Sequence, residues 1–210
     1  MFFGILKQIM RGKSLVRSLM NMHLRRFTLF GTVADIGGGT NPSYYQFISK
    51  QPDTIVTSID GKHMAIDLET DALPVVSYTA DFVLLFNVLE HIYHHKHVAA
   101  EAHRVLKPDG TFIGFVPFLV NYHPDPHDYF RYTPEALTAI FTVAGFHDVV
   151  VTPVGRGPFS VGYNTYMTLL PAPVAALLFP GYYILDTFVL KLKPALARRY
   201  PLGYLFTAQA

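Results

Sequence analysis

Residues Thr32 to Asn41 read T-V-A-D-I-G-G-G-T-N: apolar residues lead into an acid, and three consecutive glycines stand where a strand should end. A Gly-rich strand-to-helix turn lets the backbone approach a ligand closely, because glycine lacks a Cβ and accepts positive φ at little steric cost. Asp35 narrows the choice of ligand. Bare amides at a helix N-terminus hold the pyrophosphate of a dinucleotide, and a carboxylate aimed into that cradle repels it. The third glycine of a G-x-G-x-x-G fingerprint is also missing, since Pro42 stands in its place after Gly37 and Gly39. The loop suits a cationic nucleoside that carries no phosphate.

S-adenosylmethionine is such a ligand, and its sulfonium, ammonium, ribose and adenine each ask for a different partner further along. Ile55 to Ile59 is a β-branched run ending in Asp60, at about the separation from the glycines where an acid meets ribose hydroxyls in doubly wound folds. A short apolar piece, Met64 to Ile66, precedes Asp67-Leu68, where a carboxylate or backbone amide suits the adenine edge. Asp81 to Phe86 (D-F-V-L-L-F) is the continuous apolar run expected of a parallel strand covered on both faces, and Asn87 follows it into the same crevice.

Taken with R-V-L-K-P-D-G-T-F from Arg104, these segments resemble, in order, the class I S-adenosylmethionine-dependent methyltransferases and especially their type 11 group, over about residues 30 to 152. The resemblance implies an α/β fold, a doubly wound, mostly parallel, seven-stranded Rossmann-like sheet with an antiparallel last strand. It also implies an enzyme with S-adenosyl-L-methionine as cofactor. On this pattern Asp35, Gly37 and Gly39 border the methionine part, Asp60 the ribose, Asp67 and Leu68 the adenine, and Asn87 the floor of the site. One departure stands out: the stretch between Asp60 and Asp67 is short.

With 210 residues the chain has length for one well-buried α/β core, and the absence of cysteine excludes disulfides, thiolate metal sites and a cysteine nucleophile. Charge is zoned. Residues 1–27 carry six Lys or Arg and no acid, residues 28–148 six basic and fourteen acidic, and residues 149–210 five basic and only Asp186. Basic, apolar ends around an acidic middle point to an anionic membrane surface as partner rather than to nucleic acid. The organisation expected is a basic amphipathic cap helix over 1–27, a cofactor-binding core over 28–152, a hydrophobic helical insertion over 153–199 and the last core strand over 200–210.

Within the first zone, Ile5, Leu6, Ile9, Met10, Val16, Leu19 and Met20 fall near one helical face and Lys7 and Arg11 on the other. No long apolar stretch or small-residue cleavage site marks a signal peptide, so the expected location is cytoplasmic, with peripheral attachment to the inner face of the membrane. From Leu169 to Leu190 the sole charge is Asp186, but Pro171, Pro173, Pro180 and Gly181 predict two shorter helices, about Val174 to Phe179 and Tyr182 to Leu192. They either contact lipid or pack on the body of the protein. Elsewhere the pattern predicts a helix over His97 to Leu106, a turn at Lys107 to Gly110, and a strand over Thr111 to Pro117. A Thr133-capped helix then runs to Ala144, with strands over Phe146 to Thr152 and Leu202 to Ala208.

Methyl transfer asks the protein to hold an acceptor in line with the methyl and, for a hydroxyl, to remove a proton. His127 and His91 are the candidate bases. His123, Asp128, Tyr129, Arg131 and Tyr132, in the segment N-Y-H-P-D-P-H-D-Y-F-R-Y, are the candidate acceptor ligands. Against these stand plainer readings: His91 packing beneath the cofactor, and Asp128 with Arg131 as a structural clasp. His94, His95 and His97 read as a solvated helix start, and no metal site is expected. The H-D-Y-F-R-Y segment resembles that of small methyltransferases of bacterial glycan and polysaccharide synthesis, which implies O-methylation of a sugar or lipid-linked glycan. A lipid or quinone-like acceptor at the membrane is a second reading, and a non-catalytic cofactor-binding module docking on a membrane or partner is a third.

Overall fold

The computed structural model describes residues 1–210 except Gly61, Lys62, His63 and Ala65, so the apolar piece expected over Met64 to Ile66 lies partly outside the described residues. In chain order the elements are α1 (Phe2–Met10), α2 (Leu15–Leu24), β1 (Thr28–Leu29), β2 (Thr32–Ile36), β3 (Ser49–Lys50), β4 (Ile55–Ile59) and β5 (Ala80–Phe86). They continue with α3 (His95–Val105), β6 (Leu106–Pro117), α4 (Pro134–Val143), β7 (His147–Gly155), α5 (Pro158–Tyr166), α6 (Ala172–Leu192), α7 (Leu196–Arg199) and β8 (Pro201–Gln209).

The main sheet has the order β4-β2-β5-β6-β8-β7. Parallel pairing centres on β2, where Val33 stands opposite Val56 of β4 and Phe82 of β5. Strand β8 is antiparallel to β6: the Asp109 N–H donates to Ala210 O at 3.0 Å near one end and the Phe118 N–H to Leu202 O at 2.8 Å near the other. Strand β5 is buried almost throughout, as its unbroken apolar run requires.

Among the described residues six strands form this sheet, where the sequence predicts seven. Between β4 and β5 the described residues from Asp67 to Val75 are held by other contacts. The Asp71 N–H donates to Asp67 O at 2.8 Å and the Asp67 N–H to the Asp71 carboxylate at 2.9 Å, closing a turn. Arg104 of α3 then donates to the carbonyls of Leu73 and Val75 at 3.0 and 3.1 Å, satisfying acceptors that a sheet neighbour would otherwise have to meet. The predicted turn at Lys107 to Gly110 proves to be a bulge inside β6: Ala80 pairs with Leu106 but Phe82 with Thr111, and Asp109 takes φ +63°. Helix α3 starts before the predicted His97, because the Tyr93 and His94 N–H groups donate to the distant Glu69 carboxylate at 2.7 and 2.6 Å. The Thr133 cap is as predicted, its hydroxyl accepting from the Ala136 N–H.

The chain forms two compact units. One comprises Arg25–Val116, Tyr122–Thr152 and Leu205–Ala210. Its α4 side packs through Phe112, Phe141, Phe146 and Phe206, with ring centroids 4.6 to 6.0 Å apart. Aromatic pairs of this geometry contribute about 0.5–1.5 kcal/mol each beyond their buried area.

The other unit comprises Met1–Leu24, Pro117–Asn121 and Pro153–Tyr204. The single N-terminal helix predicted over 1–27 is two helices here, because Gly12 takes φ +76° and turns the chain between α1 and α2. The two helices predicted around Pro180 are instead one, α6. Proline removes one backbone hydrogen bond at a cost of about 3 kcal/mol, and contacts on both sides offset it. Before Pro180, the Tyr163 hydroxyl donates to Ala175 O at 2.8 Å and Phe179 is buried against Phe2 and Tyr163. After it, the buried Asp186 carboxylate accepts from the Phe159 and Ser160 N–H groups at 3.0 and 2.8 Å, capping α5.

Candidate functional site

A cavity of about 500 Å³ opens at the C-terminal ends of β2, β4 and β5, where the strand order reverses direction around β2. Gly37, Gly38 and Gly39 follow β2, Asp60 follows β4 and Asn87 follows β5, and all line it. Asp67 and Leu68 line a further wall with Glu69. Opposite stand Val88, His91, Ile92, Asp125, Pro126 and His127.

The glycine loop is shaped by what surrounds it. Gly37 has φ +74°, donates its N–H to Ile59 O at 2.7 Å, and a Cβ there would lie 2.4 Å from Val88 Cγ2. At Gly38 a Cβ would lie 2.3 Å from Asp35 Oδ2 and 2.6 Å from Tyr44 Oη. The Ser58 hydroxyl donates to Gly39 O, fixing the far side of the loop. Asn87 holds φ +54°, a left-handed conformation that asparagine tolerates better than most residues and that turns the chain at the cavity floor.

Asp35 departs from its expected place. Its carboxylate is fully buried beneath the loop and accepts from the Tyr44 hydroxyl at 2.6 Å and from Tyr45, rather than lining the cavity. Burial raises its pKa, and the two tyrosine hydroxyls oppose that rise. It braces the loop from below, so that Gly37 and Gly39 reach the cavity and Asp35 does not.

The Asn121 to Tyr132 segment also sorts differently from expectation. His127 lines the cavity together with Asp125 and Pro126, whereas His123, Asp128, Tyr129, Arg131 and Tyr132 do not. Arg131 donates to both Asp128 oxygens, and Asp128 also accepts from the His123 N–H at 3.0 Å. The Arg131 hydrogen bonds lead in holding the Asp128 carboxyl down at about 2. The pair is a clasp within the loop. Tyr132 is buried with its hydroxyl donating to Leu89 O at 3.1 Å, and the Tyr129 N–H donates to Glu90 O at 2.8 Å. These bonds dock the segment on the residues after β5. His91 Nδ1 meets His127 O, which joins the two candidate bases through the backbone of one of them.

His94, His95 and His97 lie at the start of α3, beside a separate cavity of about 410 Å³ shared with Glu69 and Phe130. His97 Nε2 meets Asp71 O at 2.9 Å, and His95 stacks edgewise on Phe130 and Tyr132 with centroids 5.0 and 5.5 Å apart. Burial, then Lys96, lowers the His95 pKa. Sequence reasoning missed Gly38 as a loop constraint, Tyr44 and Tyr45 as supports, and Glu69, Asp125 and Pro126 as wall residues. For the tyrosines the signal was Asp35 itself, a buried acid in need of donors.

Asp60, Asp67, Glu69 and Asp125 are among the residues lining the cavity, the Glu69 carboxylate also accepting from the Tyr93 and His94 N–H groups, and among the described residues no Lys or Arg lines it. A sulfonium and an ammonium fit such a wall and a pyrophosphate does not. The loop sterics agree, since side chains at Gly37 and Gly38 would fill the cradle.

Comparison with known proteins bears on the same residues. The model of a methyltransferase domain family matches residues 36–114. A search of curated proteins returns no match. Among solved structures, a SAM-dependent methyltransferase from Archaeoglobus fulgidus aligns with TM-score 0.56 at 18% identity, covering 92% of this chain and 94% of that one. Phosphoethanolamine N-methyltransferase 2 of Haemonchus contortus, in complex with S-adenosyl-L-methionine, aligns with TM-score 0.54 at 16% identity over 90% of this chain and 52% of that one. A putative methyltransferase in complex with the Haloferax volcanii Trm112 activator aligns with TM-score 0.51 at 15% identity, covering 96% and 92%.

Proposed function

We propose that this chain, whose residues 36–114 match a methyltransferase domain family, is a class I S-adenosylmethionine-dependent methyltransferase that methylates a neutral hydroxyl of a sugar or lipid-linked glycan presented at a membrane surface. One observation carries the acceptor reading: a cavity lined by Asp60, Asp67, Glu69 and Asp125, with His127 on the opposite wall. Carboxylates at this density oppose a phosphate or carboxylate near the reacting centre and accept hydrogen bonds from a polyol.

S-adenosylmethionine supplies an electrophilic methyl on a sulfonium. Gly37 and Gly39 take its methionine part, Asp60 accepts from the ribose hydroxyls, Asp67 and Leu68 meet the adenine, and Asn87 forms the floor. His127 removes the acceptor hydroxyl proton at a ring nitrogen. His91, whose Nδ1 meets His127 O, positions the segment that carries that base. Tyr129 lies against the His127 ring, with centroids 5.2 Å apart and planes tilted by 36°. Asp128, Arg131 and Tyr132 serve by holding the loop shape.

The membrane reading rests on the unit that contains α6. Leu177, Ile184, Leu185, Phe188 and Leu192 recur on one face of that helix and are exposed, Leu177 by 79%. That face is apolar where a helix meeting only water is polar. The unit carries nine Lys or Arg against a single acid, and that acid, Asp186, is buried. An outward apolar stripe with unopposed positive charge suits insertion among anionic headgroups, on the cytoplasmic face of the membrane.

Transfer of labelled methyl from S-adenosylmethionine to lipid-linked and free glycans, followed by mass analysis, tests the proposal. Label in an acid-stable glycan ether supports it, whereas label only in amines overturns it. His127→Gln lowers kcat by about 10²–10⁴-fold with little change in the KM for S-adenosylmethionine. Unchanged turnover in that variant removes His127 as the base.

A further inference from the structure

Glu90, His91 and His123 bring one carboxylate oxygen and two ring nitrogens within 4.8 Å of one another. Glu90 is fully buried, directly after the floor of the cavity, while His123 comes from the docked loop. Both histidine Nε2 atoms face the same oxygen: Glu90 Oε1 is 3.7 Å from His91 Nε2 and 3.9 Å from His123 Nε2. Those separations are too long for hydrogen bonds but suit atoms arranged around a shared ion. Three ligand atoms within 4.8 Å of one another leave a central point at most about 2.8 Å from each. A contraction of roughly 0.6–0.8 Å per ligand reaches the 2.0–2.2 Å of zinc–nitrogen and zinc–oxygen bonds.

The remaining ring nitrogens are arranged to match. His91 Nδ1 meets the carbonyl oxygen of His127, so that N–H donates there and leaves the Nε2 lone pair toward Glu90. His123 Nδ1 lies 3.6 Å from Asp128 Oδ2, itself fixed by Arg131. A ligating histidine characteristically gives its other N–H to a carbonyl or carboxylate, which sets both tautomer and ring orientation. The two rings stand edge-on at 86° to each other, with centroids 5.3 Å apart, so they do not stack.

We propose that Glu90, His91 and His123 form a divalent-cation site of the zinc type, with two nitrogens, one oxygen and a position left open beside the cavity that His91 lines. The set resembles three-ligand zinc centres that keep one position for water or substrate. Its borderline donors favour Zn²⁺, Co²⁺ or Ni²⁺ over Mg²⁺ and Ca²⁺, which take oxygen-rich shells. The site is built from this chain alone and does not depend on which acceptor is methylated.

The test uses the untagged full chain without cofactor or acceptor. After dialysis against Zn²⁺ and then metal-free buffer, elemental analysis is expected to find about one equivalent of zinc. Titration with Co²⁺ is expected to give the visible absorption of a four- or five-coordinate nitrogen–oxygen site. His123→Ala, at a half-exposed side chain whose loss spares the fold, lowers affinity at least about 100-fold, while His94→Ala with His97→Ala leaves it unchanged. Glu90→Gln tests the carboxylate, with circular dichroism as the folding control. Absence of zinc and of the cobalt spectrum in the wild-type chain overturns the proposal. So does equal affinity in His123→Ala, or loss confined to the His94 and His97 variant.

Discussion

Replacing Gly37 by alanine perturbs the cofactor loop in two separable ways. At φ +74°, a residue with a Cβ costs about 1–2 kcal/mol. The added methyl also lands 2.4 Å from Val88 Cγ2 and 3.3 Å from Cγ1, an overlap that the residues after β5 cannot avoid without shifting, worth about 1–3 kcal/mol. Gly37→Ala therefore destabilises the protein by about 2–5 kcal/mol, and in a chain of this size each kcal/mol lowers Tm by roughly 2–4 °C. The chain has no tryptophan, so urea unfolding is followed by far-ultraviolet circular dichroism. Val88→Ala removes the overlapping methyls but leaves φ untouched. In the double-mutant cycle, Gly37→Ala made in the Val88→Ala background costs only the conformational part, giving a coupling of about 1–3 kcal/mol. A loss below about 0.5 kcal/mol in the single variant, or additive losses in the cycle, refutes the packing argument.

Further outcomes follow from other parts of the structure. Arg104 leads in holding the Glu101 carboxyl below the usual glutamate range, aided by the Leu73 N–H and opposed by burial. A folded-state value below the unfolded one contributes stability that is present above pH 4.5 and is lost as pH falls through the folded value, so Glu101→Gln flattens the acid limb of urea stability measured between about pH 3 and pH 7. Flotation with anionic vesicles is expected to carry the wild-type chain at low salt, and Leu177→Glu with Phe188→Glu is expected to remove it even there. Equal flotation of both proteins assigns the helix face to something other than lipid. Tyr44→Phe with Tyr45→Phe strips Asp35 of both hydroxyl donors and leaves a buried carboxylate in need of partners, a loss of about 2–4 kcal/mol in urea unfolding.

Where a feature is local, the sequence carried it well. The β5 run declares a doubly covered strand, the Thr133-Pro134 pair starts a helix, and the glycines with Asp60 and Asn87 fall at strand ends that converge on one crevice. Features that depend on what returns from elsewhere were not legible. Asp35 reads as a cavity residue until Tyr44 and Tyr45 fold back beneath it. Asp128 and Arg131 read from sequence as acceptor ligands in preference to a clasp, and only their mutual geometry shows the clasp. Pro180 reads as a helix break because the sequence does not show Tyr163 and Asp186 supporting α6 on either side. The contacts of Arg104 with the Leu73 and Val75 carbonyls join residues well separated in sequence and are not legible there either.

The central claim is the cofactor site, and calorimetric titration of the chain with S-adenosylmethionine tests it most directly. The account predicts one binding site, with affinity reduced at least about 10-fold by Asp60→Ala through the lost ribose hydrogen bonds and no comparable gain for a dinucleotide. No binding by the folded wild-type chain, or binding that Asp60→Ala leaves unchanged, contradicts it.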